Sequence, residues 1–107
     1  MNDVFVEEQL ERFAVELVVA TRKLADYLPD WAGMIQVGAS PRASISLLRA
    51  SMARALLHDR DYVLPEDIIA LAADILRHRL VLDFSAQAEG VSSDDIIAAL
   101  LNVIKVP

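Results

Sequence analysis

The chain has 107 residues, enough for one domain with a modest core, and 55% of them are apolar. That share is high for a small soluble unit and points to a missing partner surface, with tight alanine-rich packing as the alternative. The net charge of −6 argues against a nucleic-acid face, which needs clustered Lys and Arg, and the lack of cysteine removes disulfides, thiolate zinc sites and cysteine nucleophiles together.

The first predicted element is a helix from about Val6 to Tyr27. Leu10, Phe13, Ala14, Leu17, Val18, Thr21, Leu24 and Ala25 recur at three- and four-residue steps and form one inward stripe. Acidic residues gather in its first half and Arg22 and Lys23 near its end, as the helix dipole favours, and Pro29 marks the stop. Trp31 falls in the following loop, where packing on the bundle edge and packing against an absent partner are equally open.

The second helix has a clear start signal, with Gly38-Ala39 leading into Ser40 as N-cap and Pro41 at N1. Ile45, Leu48, Met52, Ala55 and Leu56 make its expected inward stripe, and it fades near His58 to Arg60. Tyr62-Val63-Leu64 reads as an extended connector. Pro65-Glu66-Asp67 opens a third helix with Pro at N1 and two acids in the first turn. Ile68, Ala72, Ile75 and Leu76 point inward, and Arg77-His78-Arg79 closes the helix where cations are favoured. The apolar run Leu80 to Phe84 is expected to be extended, with a brief strand pairing to Tyr62 and Val63.

A linker ends at Gly90, and the fourth helix opens on Ser92 as N-cap. Asp95 completes an Asp version of the capping box, and Val91 and Ile96 close a hydrophobic staple. Ile97, Leu100, Leu101 and Ile104 carry the apolar face. The expected fold is therefore all-α, a single small bundle of about four helices with at most one very short β pairing.

Catalytic chemistry is not visible in these residues. Glycines at 33, 38 and 90 cannot make a phosphate-cradling loop, and no Gly-Lys-Ser/Thr run exists. His58 and His78 lie twenty residues apart without a ligand-spaced partner and read as surface or helix-end histidines, so no metal site is expected. Asp94 and Asp95 read as first-turn acids rather than a catalytic pair. The isolated chain is not expected to be an enzyme. The N-terminus shows no signal-peptide pattern, and apolar runs such as Ile96 to Leu101 are far too short to cross a bilayer, so a cytoplasmic domain without a membrane partner is expected.

Gly38-Ala39-Ser40-Pro41-Arg42-Ala43 resembles the GASPRA motif that opens the sensor-2 helix of MoxR-type AAA+ ATPases. Arg60-Asp61-Tyr62-Val63 is similar to the family's RDYV, Pro65-Glu66-Asp67-Ile68 to its PEDV, and Leu76-Arg77-His78-Arg79-Leu80-Val81-Leu82 to its LRHRIVL. Ala20-Thr21-Arg22, Ala88-Glu89-Gly90 and Asp95-Ile96-Ile97 also fit, so the motifs span nearly the whole chain in order. Asp59 stands where the family commonly has Gly, and Leu64 replaces a Ser or Thr before Pro65, which loses a side-chain N-cap.

The resemblance implies that residues 1–107 are the C-terminal lid of such an ATPase, without its nucleotide-binding core. It implies that Arg42 is the sensor-2 arginine, reaching the γ-phosphate of ATP, with Ser40 and Pro41 beside it at the nucleotide. ATP with Mg would bind the intact protein and not tightly to this fragment. Implied partners are the N-terminal core, neighbouring subunits of a hexameric ring, and von Willebrand factor A domain proteins, in chaperone-like remodelling. Independently of the family, Arg42 at a helix start adds a full charge to the positive end of the dipole. Arg49, seven residues on, lies on nearly the same face and reads as a surface ion-pair former; no role is derived for Thr21 and Arg22. Two other readings use the same residues differently: a free-standing helical interaction module without ATPase function, and a helix-turn-helix DNA binder, which the acidic balance disfavours.

Overall fold

The computed structural model describes residues 4–107. The leading segment is extended, and Phe5 forms a parallel bridge with Tyr62: the Phe5 N–H donates to the Asp61 carbonyl at 2.8 Å and the Val63 N–H to the Phe5 carbonyl at 2.9 Å. α1 follows over Glu8–Arg22 and buries Leu10, Phe13, Ala14, Leu17, Val18, Ala20 and Thr21. This is the stripe its periodicity predicts, but the helix does not run through to Tyr27. Lys23 leaves helical geometry (φ −134°, ψ 48°), and a separate turn, α2, covers Leu24–Tyr27. The Thr21 hydroxyl bonds back to the Val18 carbonyl at 2.6 Å, an arrangement that competes with the helix ladder. Ala25 is exposed as a result.

A 3₁₀ turn at Pro29–Trp31 leads to β1, Ile35–Val37. Trp31 is half-buried against the bundle's own core. Then come α3 (Ala43–Leu57), α4 (Pro65–Leu76), a 3₁₀ turn at Arg77–Arg79, β2 (Val81–Leu82), α5 (Phe84–Ala88) and α6 (Ser93–Val103). The bundle is thus all-α in character, with four long helices and two short ones rather than about four. α5 lies in the stretch expected to be linker, and Asp83 caps it by accepting the Ser85 N–H at 3.1 Å.

The strand pairing also differs from expectation. β2 pairs antiparallel with β1 (Ile35 with Leu82, Val37 with Val81), not with Tyr62 and Val63, and Phe84 already belongs to α5. The extended Tyr62 segment is taken instead by Phe5, a long-range pairing that no local pattern announces.

α3 packs against α1 and α4, and α6 against α4 and α1. Leu17, Val18, Leu47, Ile68, Leu76, Ile96, Ile97 and Leu100 are essentially excluded from solvent at the centre. α6 opens as its sequence predicts: the Asp95 N–H donates to Ser92 Oγ at 3.1 Å and the Ser92 N–H to Asp95 Oδ2 at 3.0 Å. No helix among the described residues is long and apolar enough to cross a membrane.

Candidate functional site at the start of helix α3

The start of α3 is held by a joint that sequence patterning does not reveal. Thr21, buried at the end of α1, accepts the Ala39 N–H on its hydroxyl at 3.0 Å. Gly38 runs so close to α1 that a Cβ there would lie 2.7 Å from the Thr21 carbonyl oxygen and 2.8 Å from Arg22 Cγ. Ala39 and Ala20 are completely buried in the same contact, and Arg22 donates to the Ala39 carbonyl at 3.4 Å. The Ala20-Thr21-Arg22 and Gly38-Ala39 motifs are therefore two halves of one clasp. Thr21, to which spacing assigned no role, is its hydrogen-bonding centre; the only sequence signal was an apolar-stripe position filled by a hydroxyl.

The clasp delivers Ser40, Pro41 and Arg42 to the surface as a tight turn. α3 itself begins at Ala43, two residues later than the Ser-Pro signal suggests, and Arg42 occupies the N-cap position in helical geometry. Ser40 still caps locally, accepting the Arg42 N–H on its hydroxyl at 3.3 Å. The N–H groups of Ala43, Ser44 and Ile45 donate to the carbonyls of Ser40, Pro41 and Arg42 at 2.8, 3.3 and 3.1 Å. These 3₁₀-type bonds use the backbone donors that a helix start normally leaves open. An anion here would meet the Arg42 side chain, not a ring of free N–H groups. Pro41 has no donor, and Ser40 can offer only its hydroxyl hydrogen.

Arg42 is exposed and makes no ion pair among the described residues. The same holds for Arg49, where a surface ion pair was expected. The expected inward stripe of α3 is also revised. Ala43, Ser44, Leu47, Ser51 and Ala55 are the buried positions, while Ile45 and Leu56 are exposed and Leu48 and Met52 half-buried. Of the predicted stripe only Ala55 is fully buried. Both faces of α3 carry apolar residues, and the smaller side chains won because they allow close approach of the neighbouring helices.

The opposite end of α3 holds a second group missed in the sequence. Asp67, read as a first-turn acid, is completely buried. It accepts Arg60 Nη1 at 2.7 Å and Nη2 at 2.8 Å, Arg54 Nη1 at 2.5 Å, and the Leu64 N–H at 2.8 Å. The last bond replaces the side-chain cap that Leu64 cannot provide. Burial pushes the carboxyl up, but the hydrogen bonds from Arg60, the Leu64 N–H and Arg54 outweigh it and hold Asp67 well below the usual carboxylate range. Asp59 positions Arg60. It takes the left-handed conformation (φ 59°) that closes α3, with the Arg60 N–H donating to the Ala55 carbonyl at 2.9 Å and the Asp59 N–H to Leu56 at 3.0 Å. Elsewhere Arg77 grips Asp94 through Nε at 2.7 Å and Nη2 at 3.1 Å, so Asp94 joins α6 to the turn after α4 while Asp95 caps α6. His58 and His78 are exposed. No cluster of three or more potential metal ligands occurs among the described residues.

The family model for the AAA lid domain matches residues 32–100, more than half of the chain. The chain belongs to the AAA lid family. The MoxR type follows from its relatives. The chaperone MoxR1 of Mycobacterium tuberculosis is 40% identical over 109 residues, covering 96% of this chain and 28% of the relative. The YeaC protein of Bacillus subtilis is 37% identical over all of this chain and 31% of its own length. The crystal structure of a presumed ATPase from Cytophaga hutchinsonii superposes with a TM-score of 0.94 at 47% identity, covering 99% of this chain and 32% of that one. The lid spans less than a third of the length of these relatives.

Proposed function

We propose that this lid couples nucleotide state to movement in a MoxR-type AAA+ ATPase and that Arg42 is its phosphate-sensing residue. The observation that carries the reading is a rigidly mounted, exposed guanidinium with no internal partner. A cation that the fold neither neutralises nor buries is available to an anion brought by another surface. The planar guanidinium suits a charge-assisted contact to a phosphate oxygen. Ser40 and Pro41 act mainly by shaping the turn: Ser40 holds the Arg42 N–H and Pro41 fixes φ ahead of the helix.

In this reading residues 1–107 form one lid unit, and the ATPase core of the same protein supplies the remaining nucleotide contacts. ATP with Mg provides the anion at the boundary, and its hydrolysis removes the charge that Arg42 meets. The chain's own contribution is to bind and orient. The clasp at Thr21 and Gly38 fixes Arg42 to α1, so a pull on the guanidinium moves the bundle as a body. Neighbouring subunits of a hexameric ring and von Willebrand factor A domain proteins are the proposed partners, and remodelling of client proteins the proposed outcome.

The test is Arg42→Ala in the full-length protein. Turnover of ATP should fall about tenfold or more, as when a charged donor to a transition state is removed, with the lid's helical content unchanged. Unchanged turnover would remove Arg42 from the mechanism.

A further inference from the structure

α3 is apolar on two faces, and only one is used by the bundle. At about 100° per residue, Arg42, Ile45, Leu48, Arg49, Met52 and Leu56 fall in one strip opposite Ala43, Leu47, Ser51 and Ala55. Ile45 is 49% exposed and Leu56 42%. The strip runs about 21 Å along the helix at roughly 1.5 Å per residue. Helices that are apolar all round belong in interiors.

The polar groups along this strip are of one sign. Arg42 and Arg49 lie on it, and Arg79 reaches its flank, donating to the Ile75 carbonyl at 2.8 Å and to Ser46 Oγ at 3.4 Å. None of the three arginines makes an ion pair among the described residues, although the chain carries a net charge of −6. Acids are plentiful and have been kept away from these three.

We propose that this strip is the seat of the ATPase core, and specifically of the core whose nucleotide Arg42 meets; the inference rests on that reading of Arg42. Three observations carry it. Arg42 sits at the end of the strip, within one helical turn of Ile45, so a surface that brings phosphate to Arg42 covers Ile45. The relatives hold more than two-thirds of their length outside the matched region, which supplies a body large enough to cover it. The edging of arginines selects a partner surface that is apolar along its centre and bordered by carboxylates. A second lid seated symmetrically would instead set these arginines against their own copies.

The chain has no cysteine of its own, so single cysteines can report on the strip. Ile45→Cys and Leu56→Cys are compared with Val15→Cys, which lies on α1 away from the strip; the replaced side chains are 49%, 42% and 46% exposed. Each is placed in the full-length protein, cleared of other reactive cysteines and loaded with a non-hydrolysable ATP analogue, and maleimide alkylation rates are measured alongside nucleotide binding. Docking predicts alkylation about tenfold slower at positions 45 and 56 than at 15, with Arg49→Glu weakening the protection at 45. Equal rates at all three positions with nucleotide bound would overturn the docking surface and leave the reading of Arg42 intact. Failure to bind nucleotide would overturn both. Protection that appears only as protein concentration rises would assign the strip to a second copy and likewise overturn the proposal.

Discussion

Replacing Asp67 by Asn tests the account of the buried cluster most sharply. The substitution keeps the size of the side chain but removes the charge that two guanidiniums share, and its amide nitrogen is a donor facing donors. The partner side chains are not fully sealed: Arg54 is 28% exposed and Arg60 15%, so both can recover some water. Breaking a buried pair costs about 3–5 kcal/mol, and this partial rehydration places the expected loss near the lower end, at about 3 kcal/mol. A chain of this size has a total stability of roughly 5–15 kcal/mol, and about 3 kcal/mol corresponds to a fall in Tm on the order of 10–20 °C. Urea unfolding followed by circular dichroism, with an unchanged m-value, is the assay. A fall of less than about 3 °C would mean that water already solvates the cluster and that its short hydrogen bonds carry little. The wild-type pH dependence gives an independent check. Because the folded carboxyl is held below its unfolded value of about 3.9, its stabilisation is fully present above that pH. It is lost as pH falls from about 4 towards the folded value, and Asp67→Asn should flatten that limb.

Three further substitutions probe the joints. Asp59→Gly, which relieves a left-handed residue at the end of α3, should stabilise the lid by about 0.5–1 kcal/mol in urea unfolding; a loss would show that the aspartate side chain itself is needed there. Gly38→Ala forces a methyl group against the Thr21 carbonyl and should cost about 1–3 kcal/mol, read as a lower urea midpoint; a neutral result would mean that the clasp gives way easily. Thr21→Val keeps the shape but strands the buried Ala39 N–H, with an expected loss of about 1–3 kcal/mol and faster amide exchange at Ala39; unchanged exchange would remove the clasp from the account.

Local pattern alone determined a good deal of this lid. The core face of α1, Pro65 opening α4, the Ser92–Asp95 capping box and the helical character of the whole are written in periods of three to four residues and in cap chemistry, which act over a single turn of helix. The ordered motifs around Ser40-Pro41-Arg42 also pointed to the family before any fold was in view. The tertiary structure decided what depends on distant partners. Which apolar face of α3 turns inward could not be read, because Leu47 with small neighbours and Ile45 with Leu56 are both acceptable stripes, and only the approach of α1 and α4 selects between them. The partner of Val81–Leu82 was misplaced because β1 lies more than forty residues upstream, and a three-residue strand leaves almost no alternation to recognise. Asp67 looked like an ordinary first-turn acid until Arg54 and Arg60 were brought onto it from another helix and its closing turn. Thr21 acquired its role only when Gly38 and Ala39 folded back against it. In each case the deciding term is a contact between residues far apart in sequence, set by packing and by the need to satisfy buried polar groups, and local periodicity carries no record of it.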